Sequence, residues 1–121
     1  MKIEIKSTGQ VSKKFLAFVQ MVSEKENICD WTLIVWNLEG EAECIPDMKL
    51  IYMAVKPDDE LMKAWFLHEV AHATFFISGG LTQDSIGHRK LWKAEFERIL
   101  SYYMPDIGQK TVLWLKKIEG E

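Results

Sequence analysis

The chain of 121 residues contains three histidines, and two of them stand four apart in His68-Glu69-Val70-Ala71-His72. Residues i and i+4 of an α-helix lie on one face, a turn apart, so both imidazoles can reach a single ion. Glu69 sits about 100° round the helix from His68 by the 3.6-residue period, which suits contact with an ion-bound water rather than with the ion. Two imidazole ligands with an acid for the water is the H-E-x-x-H arrangement of zinc hydrolases, and it makes Glu69 the candidate general base. At this chain's own His and Glu frequencies a match is expected by chance about 0.007 times.

A catalytic zinc takes three protein ligands and keeps one position open. The remaining histidine, His88, follows His72 after one reversal of the chain at Gly79-Gly80. It precedes Trp92 by four residues and so shares the inward stripe of Trp92, Phe96 and Ile99 on the next helix. Two helices packed on these stripes would aim His88 at His68 and His72, so the predicted metal ligands are His68, His72 and His88. Glu95, seven residues past His88 on nearly the same face, is the first rival for the third position, and Asp84 is another.

These residues need a helix over 59–77 and a second one behind it. Pro57-Asp58-Asp59-Glu60 announces the first, because proline and acidic residues suit a first turn. Gly79-Gly80 stops it. Thr82, Asp84 and Ser85 are candidate N-caps for the second, and Pro105 closes it. Upstream, residues 1–7 alternate as a short strand, and 11–25 carry Val11, Phe15, Phe18, Val19 and Val22 at helical spacing. Residues 31–36 are β-branched and aromatic and read as a strand. Residues 41–45 read as its hairpin partner, and 50–55 as a third apolar strand leading into the first motif helix. The predicted class is α+β, with a small, mostly antiparallel sheet packed on the helix that carries the motif. Residues 107–118 fit a helix through Val112, Leu113, Leu115 and Ile118, with a strand over 111–115 as the competing reading.

One domain, 1–121, is the expectation for this length, and no repeat, low-complexity stretch or linker divides it. Fifteen Lys+Arg against eighteen Asp+Glu leave a net charge of −3, which gives nucleic-acid binding no support. Arg89, Lys90, Lys93 and Arg98 near the motif read as a solvated helix face. Cys29 and Cys44 make no disulfide framework and read as buried thiols acting as small hydrophobes. With no signal-peptide pattern at the first residues and no run of about 18 apolar residues, a cytoplasmic location and no membrane partner are expected.

Around the motif the sequence resembles the SprT-like family of zincin metallopeptidases. The likeness rests on His68-Glu69-Val70-Ala71-His72-Ala73, on the gap of about fifteen residues to Gly87-His88, and on the aromatic Trp92 followed by a helix through Arg98-Ile99. It covers residues 50–100, and the N-terminal third only by element order. It implies a zincin-like fold, zinc held by His68, His72 and His88, Glu69 as catalytic base, and a protein or peptide substrate held along a sheet edge. No cysteine follows Cys44, so the four-Cys zinc ribbon of many members is absent from this sequence. A metzincin would need its third histidine six residues after the second, where this chain has Ser78. A deformylase-like pattern would need an upstream Cys ligand, for which Cys44 lies close to the motif and lacks the glycine-rich segment expected before it.

The chemistry expected is hydrolysis, with Glu69 taking a proton from the attacking water and passing it to the leaving amine. Residues 50–55, if they form a sheet edge, would pair with an extended peptide. Tyr52, Tyr102 and Tyr103 are the available oxyanion donors, although core packing is the better account of each. Two other classes fit the same residues. One is a non-catalytic, metal-stabilised binding or regulatory protein, with Trp31, Trp36, Trp65 and Trp114 available for a partner surface. The other is a zinc hydrolase of non-protein amides.

Overall fold

The computed structural model describes residues 1–6, 11–36, 42–55, 58–77 and 86–106. For residues 42, 43 and 86–91 only the backbone is described. The predicted Gly79-Gly80 stop, the N-caps at 82–85 and the elements in 107–118 lie outside the described residues. The elements are β1 (Lys2–Ile5), α1 (Lys13–Lys25), β2 (Thr32–Trp36), β3 (Ala42–Ile45), a 3₁₀ turn (Pro46–Met48), β4 (Leu50–Ala54), α2 (Asp59–Ile77) and α3 (Ile86–Tyr103). The class is α+β, a small mixed sheet with three helices among the described residues. No helix among them is long and apolar enough to cross a membrane.

The sheet departs from the mostly antiparallel expectation. Its order is β1-β2-β4-β3, with β1–β2 and β2–β4 parallel and only β3–β4 antiparallel. Of the predicted hairpin partner, residues 42–45 therefore do not fold back on 31–36 but pair with the strand that follows them, through the tight Pro46–Met48 turn. The reason lies in β2. Leu33, Ile34 and Val35 are buried in succession, so both faces of this strand are covered, as suits a central strand with parallel neighbours. The connection that allows β1 and β2 to run parallel is α1, a crossover that a hairpin cannot supply. Strand β4 is also interior, flanked by β2 and β3, and offers no edge to a peptide. Among the described residues the edges belong to β1 and β3.

Strand alternation sorts the sheet into two faces. Leu33 pairs across to Ile51 and Val35 to Met53, and all four belong to one core with the helices. The opposite face carries Trp36 and Tyr52, whose rings lie 6.2 Å apart.

Helix α1 begins where Ser12 caps it, its Oγ accepting from Phe15 N at 3.0 Å. The same hydroxyl donates to the Asp59 carboxylate at 2.9 Å, tying the start of α1 to the start of α2. The C-terminus of α1 is closed by Asn27 in the left-handed region, φ 60°. Ile28 N donates to Ser23 O at 2.9 Å and Asn27 N to Glu24 O at 3.3 Å. These bonds satisfy carbonyls that the helix end would otherwise orphan, and Ile28 is driven into the core behind them. Just past this cap Cys29 is exposed, not buried as expected, because the turn that sends Ile28 inward sends its neighbour out. Cys44 is half-buried.

Helix α2 starts at Asp59, with Asp59 and Glu60 in its first turn as the acidic run predicts. Asp58 Oδ1 accepts from Leu61 N at 2.7 Å, satisfying an orphan donor of the first turn. From Met62 to Thr74 nearly every side chain of α2 is buried. A helix apolar all round must be enclosed on several sides. Contacts to α1, α3, β3 and β4 surround it. The predicted motif helix is therefore the central element of the fold.

Candidate metal centre

His68, Glu69 and His72 fall in the interior of α2, where spacing along the sequence becomes spacing in space. The ring centroids of His68 and His72 are 5.3 Å apart, with planes at 79°. Two imidazoles bound to one tetrahedral ion at the usual Zn–N length have centroids about 3.2 Å from it and so about 5.2 Å from one another. Two imidazoles are a donor set suited to zinc, and their separation is compatible with one shared ion. His68 is 6 % exposed and Glu69 2 %, while His72 is half-buried.

A carboxylate buried this deeply requires a partner. His68 supplies one, with Nδ1 2.9 Å from Glu69 Oε1. With Glu69 as a carboxylate, which only accepts, the ring proton of this pair belongs on Nδ1, and a metal would take Nε2. Carboxylates that hold a ligating imidazole in this way fix its tautomer and orientation.

Aromatic rings enclose the imidazoles. Trp92 stacks on His72 with centroids 4.4 Å apart and planes at 19°. It also meets His68 edge-on at 5.1 Å. Phe96 and Trp65 meet His68 at 5.5 and 5.3 Å. Trp65 and Trp31 are thus buried rather than available as partner surface, whereas Trp36 is 40 % exposed. Trp114 lies outside the described residues.

The third ligand is approached through α3. The backbone of α3 carries residue 88 one turn before Trp92 and two turns before Phe96, whose rings both meet His68. The side chain of His88 lies outside the described residues, as does Asp84. Among the described residues no group of three His, Cys, Asp or Glu side chains gathers to hold an ion.

The rival Glu95 is engaged elsewhere. Its Oε2 accepts from Thr74 Oγ1 at 2.8 Å and its Oε1 from Arg98 Nε at 2.6 Å. Burial pushes this carboxyl up, but the bonds from Arg98 and Thr74 and the Arg98 charge outweigh it and hold the pKa below the ordinary 4.5. Arg98 continues the chain to Glu26, the C-cap of α1, through Nη2 at 3.0 Å. Glu26 also accepts from the Tyr103 hydroxyl. Burial and the Glu26 carboxylate together push the Tyr103 phenol well above its ordinary value. The Thr74–Glu95–Arg98–Glu26–Tyr103 network binds all three helices together, and it commits both Glu95 and the Tyr103 hydroxyl to that task. Tyr102 is exposed and lies under Lys25, and Tyr52 is on the sheet beside Trp36.

Sequence reasoning placed the motif and missed this network. The Glu95/Arg98 spacing of three on one helix was a readable sign of an ion pair. Comparison with family models, curated proteins and solved structures returns no match.

Proposed function

We propose that this chain is a zinc-dependent metallopeptidase of the zincin type, similar to the SprT-like family, with His68, His72 and His88 as metal ligands and Glu69 as general base. The observation that carries the reading is the imidazole pair of α2, spaced 5.3 Å apart on one helical face, with the buried Glu69 carboxylate against one of them. Zinc held there supplies Lewis acidity, polarising a carbonyl and lowering the pKa of a bound water towards about 7. Glu69 accepts the proton of the attacking water and returns it to the leaving amine. The burial that encloses the imidazoles keeps bulk water from competing with the proton transfer. The substrate is a protein or peptide. Among the described residues β3 is an edge strand, with β4 on one side, and it packs against α2, so main-chain hydrogen bonds to an extended segment there would hold it beside the motif helix.

Zinc-loaded Glu69→Gln protein should keep its metal and lose cleavage of a casein substrate that the wild-type chain hydrolyses. Cleavage at the wild-type rate would remove Glu69 from the role of base. A second reading has one observation in its favour. The contact of Glu69 with His68 Nδ1 is also what a ligand-orienting carboxylate in a non-catalytic zinc protein makes. In that case Glu69→Gln lowers zinc affinity, and neither form hydrolyses casein or simple amides.

A further inference from the structure

We propose that Trp92 is a positioning residue for the imidazole pair, fixing the ring planes of His72 and His68 from the neighbouring helix. The inference rests on the metal-site reading above. An imidazole on a helix rotates about two side-chain bonds, and two of them must point their lone pairs at one spot to share an ion. Packing that holds both rings before an ion arrives removes that ordering cost from binding.

Trp92 is placed to do this. It is 2 % exposed, its indole lies nearly parallel to His72 at 4.4 Å, and it meets His68 edge-on at 5.1 Å. Stacking engages the face of His72, whereas a metal ligand acts through a nitrogen in the plane of the ring, so the stack can restrain the ring from the side a ligand does not use. Trp92 is itself held from behind by Phe96, stacked at 5.3 Å and 18°, and Phe96 also meets His68. His72, Trp92 and Phe96 thus form a continuous stack, with His68 meeting all three rings edge-on.

The indole N–H sharpens the assignment. Trp92 Nε1 is buried and finds no hydrogen-bond acceptor among the described residues. A buried donor without an acceptor is a cost to the fold, so what Trp92 contributes is its aromatic face. A ring lacking the N–H should serve in its place, and an aliphatic side chain should not.

The test compares Trp92→Phe, Trp92→Leu and Ile99→Val, the last loosening the core seven residues further along α3. Zinc affinity is read by competition with a chromophoric chelator. In the metal-free protein, NMR shifts of the His72 ring protons report stacking directly. Trp92→Leu should weaken zinc binding by about 10–100-fold, the usual effect of losing a residue that orients a ligand. It should also abolish the upfield ring-current displacement of His72. Trp92→Phe should restore affinity to within a few-fold of wild type, and Ile99→Val should leave it unchanged. Equal affinity in wild type and Trp92→Leu, or an equal loss in Ile99→Val, overturns the positioning role while leaving the metal site standing. A wild-type chain that binds no zinc overturns the metal reading, and the positioning role with it.

Discussion

Removing the link between Thr74 and Glu95 should weaken the fold in a pH-dependent way. Glu95 receives two hydrogen bonds, at 2.8 Å from Thr74 and 2.6 Å from Arg98. Arg98 is half exposed, its side chain at 52 %, and exposed pairs contribute about 0–1 kcal/mol. The Thr74 half is buried, and a hydrogen bond to a charged acceptor contributes about 1.5–3 kcal/mol, the lower end being apt where the carboxylate keeps some contact with water. Thr74→Val should therefore cost about 1.5 kcal/mol and Glu95→Gln, which keeps an acceptor but loses the charge, about 1 kcal/mol. For a domain of this length each kcal/mol shifts Tm by roughly 4 °C. The assay is urea unfolding followed by circular dichroism on wild type, both single variants and the double variant. The two changes should couple by about 1 kcal/mol, and additivity within about 0.3 kcal/mol would mean that the hydrogen bond carries no stability.

The sign of the pH effect follows from Glu95. Its folded pKa lies below the ordinary 4.5, so the native state prefers the carboxylate. The stabilisation is complete above the unfolded value and is lost as pH falls through the folded one. The gap between wild type and Glu95→Gln should be full at pH 7 and shrink below about pH 4. A gap unchanged from pH 7 to pH 3 would refute the assignment of the charge to this network.

Two further outcomes follow from backbone and ligand geometry. Asn27→Gly should leave stability unchanged or raise it, while Asn27→Val should cost about 1–2 kcal/mol in the same unfolding assay, because Asn27 holds φ 60° at the end of α1. Equal stability of the two variants would contradict the cap. His88→Ala should sharply weaken zinc binding measured by chelator competition, whereas Glu95→Ala should not. The reverse result would make Glu95 the third ligand and the Thr74 contact incidental.

What the sequence disclosed and what it hid divide along the range of the interactions. The H-E-x-x-H pair was legible because i and i+4 are fixed by helix geometry alone. The start of its host helix was legible too, because Asp58 can cap a first turn rich in acidic residues. The sheet was not, since pairing of β2 with β4 rather than β3 depends on contacts between distant segments. The clue was present in Leu33-Ile34-Val35, a run without alternation, which suits a strand buried on both faces more than a hairpin arm. Cys29 was misplaced because a general tendency of cysteine was used where a local turn decides. The Trp92 stack shows both sides of this division: its spacing from His88 marked the inward face of α3, but nothing local indicated which imidazole it would meet. Glu95 had a readable partner in Arg98, three residues away, and an unreadable one in Thr74 on another helix.

The central claim is that the imidazoles of α2 hold a metal, and elemental analysis of the wild-type chain, purified without chelator or a His tag, tests it most directly. The account predicts one equivalent of zinc per chain, lost in His72→Ala. A chain that carries no metal and takes up none when zinc is added would contradict it, and would leave His68 and His72 as packed aromatic members of the core.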